Sequence, residues 1–408
     1  RTATSPTRKN HTKRNMNTQN TQIHISQWQR GFWLLAIANF LVAMSVYVLV
    51  PVMPLWLMDG EGFSARDAGL AMGAFGVGIF ALGGFCSYLV QRYRRNRICM
   101  EAIILMVICI TLLHSFFQHD FGAVEKWWVF AQRILFGAVY GLAEMVLAST
   151  LIIDKCTSSM RTEANHSTSW FSRFAVALGP MVGLIVYHLT GSFWRVILVS
   201  DVCVIISLLL IRAVKFPFRA PEENTHVFSL DRFFLTQGTP LFVNIFLIML
   251  PVGMLFSLAL PWMFYAMMMV GFVLALMAQR FVFQNAELKS EVVTGMILIV
   301  AAMQIMHVYS IDKVIYVAPT MIGLAIGIIG SRFLLFFIKL SRHCQRGTSS
   351  STFLLGWESS IAIGIGIGYI SFSGQSDRLL VVAEVISILA AAMYLSFTHQ
   401  WFLNHKNR

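Results

Sequence analysis

The chain has 408 residues, of which 57% are hydrophobic and only 12% are charged, and its mean hydropathy is +0.68. Soluble proteins carry about 25% charged residues, so this composition excludes an ordinary soluble globular domain. The formal net charge is +12. A nucleic-acid-binding protein would need a water-exposed basic face to use that charge, and the apolar pattern leaves no domain to carry one.

Apolar segments of 18 or more residues recur along the whole chain, and each is long enough to cross a bilayer as a helix. Helices satisfy their backbone groups internally, and alternating barrel strands of about ten residues do not occur here. We therefore predict an all-α integral membrane protein with twelve transmembrane helices. In chain order, spans one to twelve are predicted at 32–55, 67–90, 98–117, 128–152, 168–188, 193–212, 239–258, 262–281, 292–310, 314–338, 352–372 and 379–402.

These spans divide into two halves of six. Residues 1–30 are polar and basic and are expected to form a disordered cytoplasmic tail, without the apolar region of a signal peptide. The first half covers residues 31–213 and the second half covers 238–408. Residues 214–237 (VKFPFRAPEENTHVFSLDRFFLTQ) form a polar cytoplasmic linker between them.

The second half repeats the first. The segment RVILVSDVCVIISLLL from Arg195 returns as RLLVVAEVISILAAAM from Arg378, with Asp201 and Glu384 in matching places. GLAEMVLAST in span four is likewise echoed by GLAIGIIGSR in span ten. An even number of spans in each copy predicts two pseudo-symmetric halves related by an axis along the membrane normal, which is typical of a transporter with its substrate path between the halves.

The lysines and arginines predict the orientation. If the N-terminus lies inside, only five of the 31 fall in outer loops. The positive-inside rule therefore predicts that both termini are cytoplasmic. We expect a monomer in the cell (inner) membrane.

Span four carries buried charge. Arg133, Gly137, Gly141 and Glu144 are spaced four, four and three residues apart, so they form one stripe on a helix. An ionised side chain at mid-bilayer costs about 2.5–3.5 kcal/mol on insertion scales and therefore needs a reason. One hypothesis is a face that handles protons or substrate on a central cavity, and the alternative is an ion-pair network that only holds span four to a neighbour.

Further charges lie in the second half and in span five. Arg332 and Glu358 are each about seven residues from the inner ends of spans ten and eleven, which predicts an ion pair that is either a gate or a static contact. Arg173 in span five has similar depth, and Glu144 is its nearest acidic candidate. Asp201 can be a proton carrier or a neutral acid bonded to a neighbouring helix, and the second is favoured because span six should lie outside the cavity.

Two asparagines are weaker candidates. Asn39 and Asn244 occupy the first span of each half, and they line the cavity or pack between helices.

Three patches carry a family resemblance. SYLVQRYRRNR after span two resembles an inner-loop signature, with Gln91 where an acid is usual, and Gln279-Arg280-Phe281 is its counterpart in the second half. Arg133 with its spaced glycines resembles a span-four signature linked to proton coupling. Gly179-Pro180-x-x-Gly183 resembles a span-five motif of antiporters. The chain thus resembles the major facilitator superfamily from about residue 33 to 401, in its drug and metabolite:proton antiporter branch.

The resemblance implies a secondary active transporter with the major facilitator fold, working by alternating access. It favours proton-driven efflux of a small amphipathic or drug-like molecule, so the expected partners are that substrate, protons and lipid. Glu144 and Arg133 are the expected coupling residues. The gate is predicted from the inner-loop and second-half positions, which are Gln91, Arg92, Arg94, Arg95, Arg332 and Glu358.

Two alternatives remain at this stage. A proton-coupled importer of a sugar or organic anion would use Arg133 and Arg173 to bind a carboxylate. A non-transporting membrane sensor is favoured by Gln91 and the short connection between spans seven and eight. An enzyme is not expected, because no nucleophile–base set recurs near one membrane surface. No cofactor is expected either, since the sequence has neither metal-ligand spacing nor a phosphate-binding loop.

Overall fold

The protein is described by a computed structural model that covers residues 30–118, 126–156, 161–216, 226–283, 286–342 and 345–407. The predicted tail up to residue 29 and linker residues 217–225 lie outside this range. Eleven long apolar helices and one bent pair are found in it. In chain order the spans are Arg30–Gly60, Ala65–Gly78 with Gly83–Arg92, Arg95–Gln118, Lys126–Asp154, Arg161–Thr190, Phe193–Arg212, Thr239–Leu255, Trp262–Phe281, Leu288–Val308, Ala318–Leu340, Arg346–Phe372 and Ser376–His405.

All twelve predicted spans are therefore confirmed, with one difference in form. Span two was predicted as one helix, but its two parts meet at 43°. The break falls between Gly78 and Gly83, where linker rings pack: Phe233 lies on Gly83 and Phe228 on Gly84. Glycines make this approach possible because a side chain at either position would occupy the space of the ring.

The internal repeat is visible in the helix crossings. A Cβ at Gly141 in span four would lie 2.6 Å from the carbonyl oxygen of Ile79 at the end of span two's first helix. Gly323, its counterpart in span ten, contacts the Met268 carbonyl of span eight in the same way. Small residues let helices approach closely in a bilayer, where dispersion and weak hydrogen bonds drive association. Both halves thus use the same kind of close crossing.

The halves meet through spans two and eleven and through spans five and eight. Gly69 lies against the Gly366 carbonyl, and Gly76 lies against Ala362. In the second contact, Trp170 of span five packs edge-on against Phe272 of span eight at 6.5 Å. Spans three, six, nine and twelve are less buried than spans five and eleven.

We call the end of the bundle that holds Arg30 and His405 the terminal side. Gly31 there lies beside Lys155 and Val214, while the backbone N–H of Asn407 donates to the Lys339 carbonyl. The halves also touch on this side, since a Cβ at Gly347 of span eleven would lie 2.6 Å from the Ser149 carbonyl of span four. The terminal side is therefore closed at this point.

The end of the linker, residues 227–235, lies across both halves on the terminal side, and we call it the strap. On span two, Ser229 N–H donates to the Gly84 carbonyl at 2.8 Å, and Phe233 packs edge-on against Phe80 at 6.2 Å. On span eleven, three side chains bond strap backbone atoms at 2.7–2.8 Å, and these are Thr348, Ser351 and Thr352.

Candidate functional site

Two carboxyl groups from opposite halves lie near each other inside the bundle. Glu144 belongs to span four and Glu358 to span eleven, and each is only 3% exposed. They are close enough to interact electrostatically. Two ionised carboxyls without a cation would be costly in this low-dielectric interior. The pair is therefore suited to holding a proton or a cation between the halves.

Two tyrosines complete this group, which we call the carboxyl cluster. The Tyr47 hydroxyl of span one donates a 2.6 Å hydrogen bond to Glu358 Oε2. Tyr140, one helical turn before Glu144, is completely buried beside it. One oxygen of each carboxyl, Oε1 of Glu144 and Oε1 of Glu358, has no hydrogen-bond partner in the described part of the chain. The cluster can thus accept at least two more hydrogen bonds from a bound group.

Helix geometry sets the position of each carboxyl. Gly141 packs span four on span two one turn before Glu144, and the helix changes to π form over Leu147–Leu151 just after it. Such π segments are frequent at functional sites. On span eleven the neighbouring hydroxyls of Ser359 and Ser360 bond back to their own helix, so they leave Glu358 to the cluster.

Arg133 lies far from the cluster along the same helix. Eleven residues separate it from Glu144, which is about 16 Å of helix. It is buried, its Nε is 3.4 Å from the Ala71 carbonyl, and its guanidinium lies 5.0 Å from the Phe75 ring centre and 5.5 Å from that of Phe136. Cation–π contacts therefore stabilise this charge, and the structure does not bring it to Glu144.

Arg173 joins the two halves. Its guanidinium donates to the Gly327 carbonyl at 3.1 Å and to the Ser331 hydroxyl at 2.6 Å, both on span ten. It also lies 4.4 Å from the Trp170 ring centre. These partners are neutral, so the expectation that Glu144 is its acidic neighbour is replaced by a cross-half contact with backbone and hydroxyl oxygens.

The predicted Arg332–Glu358 ion pair is wrong. Arg332 Nε instead bonds Glu291 Oε2 at 2.6 Å, and both side chains are buried. Glu358 bonds Tyr47. Glu291 was overlooked because the predicted span nine begins at residue 292, which placed this carboxyl in a hydrated loop. In the structure it stands in the first turn of that helix.

The two asparagines differ in their surroundings. Asn39 donates to the Ser172 hydroxyl of span five at 2.8 Å, within the first half. Asn244 donates to the Ala390 carbonyl of span twelve at 3.0 Å. Asn244 therefore lies in a helix–helix contact of the second half.

The basic loop after span two is tied to its own half. Arg95 forms a 2.9 Å ion pair with Asp154 at the end of span four. Arg92 and Arg94 are exposed, and Gln91 is half-buried. The gating role of this loop stays a prediction.

Asp201 and Glu384 lie outside the cluster and have equivalent partners. Thr111 Oγ1 of span three donates to Asp201 at 3.2 Å. In the amide orientation that satisfies both groups, the Gln304 nitrogen of span nine lies 2.7 Å from the Glu384 oxygens. Each half thus bonds its last span to its third, as the interpretation of Asp201 as an acid bonded to a neighbouring helix predicted.

Tyr47 and Tyr140 were not recognised from the sequence. Both lie within long apolar spans, where an aromatic ring normally indicates hydrophobic packing. A buried tyrosine hydroxyl needs a partner, and this requirement is the only signal that the sequence offered. The position of that partner, 311 residues away for Tyr47, depends on helix rotation.

Comparison with known proteins agrees with the fold. Three solved structures resemble it: the nucleoside transporter NupG (11% identity, TM-score 0.64, 90% of this chain and 100% of that one), a bacterial homologue of the iron transporter ferroportin in an outward-facing state (13%, 0.63, 91% and 100%), and a bacterial homologue of the human lysosomal transporter Spinster in an inward-facing state (14%, 0.67, 93% and 98%). At these identities the likeness shows the fold alone. No curated protein sequence matches the chain.

The sequence profile of the Major Facilitator Superfamily matches residues 35–375. This range runs from the first span to the end of span eleven and contains all four residues of the carboxyl cluster. The twelve spans, the two matching halves and this profile lead to one conclusion: the chain belongs to the Major Facilitator Superfamily and is a membrane transporter.

Proposed function

We propose that the protein is a proton-driven exporter of small amphipathic molecules that carry a positive charge. The observation that supports this proposal is the burial of Glu144 and Glu358, one from each half, within electrostatic range of each other. A protonated pair and a pair with a bound organic cation have similar net charge, so the two ligands can replace each other.

In the proposed cycle, the substrate cation enters the carboxyl cluster and displaces protons. The halves then rock, the substrate leaves, and protons from the other side return to the carboxyls. Because the substrate and the protons use the same carboxyl oxygens, the halves are not expected to change state while the pair is ionised and empty. This exclusion is what would couple proton entry to substrate exit.

The lysine and arginine distribution supports placing the terminal side in the cytoplasm. The structure would then represent a state closed to the cytoplasm, with Arg173 and the Ser149–Gly347 contact as its gate. We propose the cell membrane as the location and a monomer as the working unit.

The test is transport by the purified protein in liposomes. A panel of amphipathic amines is screened for substrate-dependent proton release from acid-loaded vesicles, and uncharged and anionic compounds of similar size are included. The proposal predicts that only cations release protons. Release driven by anions, or no release with any compound, would contradict it.

Two variants then test the carboxyls. Glu144→Gln and Glu358→Gln imitate the protonated form permanently, so each is expected to reduce gradient-driven accumulation to background while substrate exchange continues. Asp201→Asn is the matched control, since it removes a buried carboxyl outside the cluster, and it should retain both activities. Full accumulation by both glutamine variants would disprove the coupling role.

A further inference from the structure

We propose that Tyr47 is a positioning residue for Glu358, and that the Gly179-Pro180-x-x-Gly183 segment of span five sets the position of Tyr47. This proposal rests on the proposed function, because it assigns Tyr47 a role toward the coupling carboxyl. It also gives the span-five motif a defined task in this chain. The motif would act through Tyr47 rather than by touching the carboxyl pair.

The first step is the end of the span-one helix. The regular α-helix stops at Tyr47, and the next residues form tighter turns, with Leu49 N–H donating to Val46 and Val50 N–H donating to Tyr47. Tyr47 itself is 2% exposed. Val48 N–H still donates to the Met44 carbonyl, but the turns after it are irregular, so the position of Tyr47 depends on what packs against this segment as well as on its own helix.

The second step is the surface that packs there. A Cβ at Gly179 would lie 2.8 Å from the Tyr47 carbonyl carbon and 3.0 Å from the Val48 nitrogen. Gly183, one turn later, lies against the Val48 carbonyl. Gly179 and Gly183 therefore form a seat for the backbone of Tyr47 and Val48, and no larger residue fits it without displacing span one.

The third step is the position of the Tyr47 hydroxyl. A phenol ring is rigid and has only two rotatable side-chain bonds, so the seat of its backbone largely determines where the hydroxyl lies. Here the hydroxyl donates to Glu358 Oε2 at 2.6 Å and leaves Oε1 without a partner. One carboxyl oxygen is thus held by the first half, and the other remains free for a proton or a cation.

The bond also crosses from span one to span eleven. It can exist only while these two helices are close, so the orientation of Glu358 is linked to the conformation of the halves. A purely structural tyrosine would satisfy its own hydroxyl without affecting how Glu358 binds its ligand.

Infrared difference spectroscopy of the full-length protein in lipid, between neutral and acid pH, tests this proposal. The carboxyl stretching bands of Glu358 and Glu144 are identified by their loss in Glu358→Gln and Glu144→Gln. Tyr47→Phe removes only the hydroxyl, and Gly179→Ala disturbs only the seat. Tyr265→Phe, a buried tyrosine of span eight, and Gly271→Ala, a close crossing of spans eight and ten, are the matched controls.

We expect Tyr47→Phe to move the Glu358 band to higher frequency, because a carboxyl that loses a hydrogen bond has a stiffer C=O bond. Gly179→Ala should move the same band although the hydroxyl is present, and neither control should move it. An unchanged Glu358 band in Tyr47→Phe would overturn the positioning role. A band that moves in Tyr47→Phe but not in folded Gly179→Ala would overturn the role of the motif.

These outcomes are separate from those of the transport test. The band positions report the hydrogen bond whether or not the protein couples protons to transport. Failure of the proposed function would appear instead as full gradient-driven accumulation by Glu144→Gln and Glu358→Gln.

Discussion

The three arginines that are buried in the described part of the chain are each stabilised by a different kind of partner. Arg133 lies against aromatic rings, Arg173 bonds neutral oxygens of the opposite half, and Arg332 pairs with Glu291. Separating a buried ion pair leaves two charges uncompensated, whereas separating Arg173 from neutral oxygens leaves only one. Arg173 is therefore the arginine best suited to a contact that opens and closes.

Removing one member of the Glu291–Arg332 pair is expected to destabilise the protein. Glu291→Gln leaves the guanidinium uncompensated, at a cost of about 3–5 kcal/mol of unfolding free energy. The double variant Glu291→Met/Arg332→Met replaces the pair with apolar groups and should recover most of that loss. Thermal unfolding in detergent measures both. Equal stability of the single variant and the native protein would show that the pair contributes nothing.

Arg173→Lys is expected to loosen the terminal-side contact. Lysine keeps the charge but cannot bond Gly327 and Ser331 together in the geometry of the guanidinium fork. Each lost bond to a charged group is worth about 1.5–3 kcal/mol, which corresponds to at least a tenfold change in a two-state population. Labelling of a cysteine placed at Ser149 measures this opening. Arg195→Lys, on the opposite side, is the control, and equal labelling in the two variants would contradict the gating role.

At the level of helices, glycine crossings determine how closely the spans approach. Spaced glycines such as those of span four allow crossings of this kind, and the structure places Gly137 and Gly141 on span two. The break in span two could not be predicted from its own sequence. Phe228 and Phe233 pack at this break, and the linker supplies them from more than 140 residues further along the chain.

Gly323→Ala is expected to destabilise the second half. Its new methyl would meet the backbone of Met268 at a crossing with no space for it, and overpacking of this kind costs about 1–3 kcal/mol. Gly73→Ala is a matched control, because its Cβ would lie 3.8 Å from the nearest atom, the Gly366 Cα. Thermal unfolding should separate the two variants, and a similar loss in both would show that the close crossing is not the cause.

At the level of the whole molecule, hydropathy and the internal repeat were sufficient to predict twelve spans in two halves. They were not sufficient to predict which faces meet. Glu358 was assigned to Arg332 because the two have equal depth, but depth does not specify helix rotation, and rotation turns Glu358 toward Tyr47. Contacts between the halves depend on the rotation of each of the two helices about its axis and on the tilt between them. None of these leaves a periodic signal in one sequence.

The strap is expected to favour the state in which the terminal side is closed. Phe228→Ala removes the ring that lies on Gly84, while Val227→Ala shortens the adjacent side chain as the control, since both side chains are similarly exposed. If the strap must leave span two when the halves part, Phe228→Ala should raise labelling of a cysteine at Ser149 several-fold, and Val227→Ala should not. Unchanged labelling in Phe228→Ala would show that the strap follows the movement passively.

The Tyr47–Glu358 bond also has a consequence for synthesis. The two residues are 311 positions apart, and a ribosome adds roughly 5–20 residues per second. Span one therefore stays in the membrane for roughly 15–60 s before the acceptor of its tyrosine exists. During this time the first half exposes a polar hydroxyl and a glycine-lined face without their final neighbours. The newly made protein is thus expected to depend on water, lipid headgroups or the insertion machinery to cover that face until span eleven arrives.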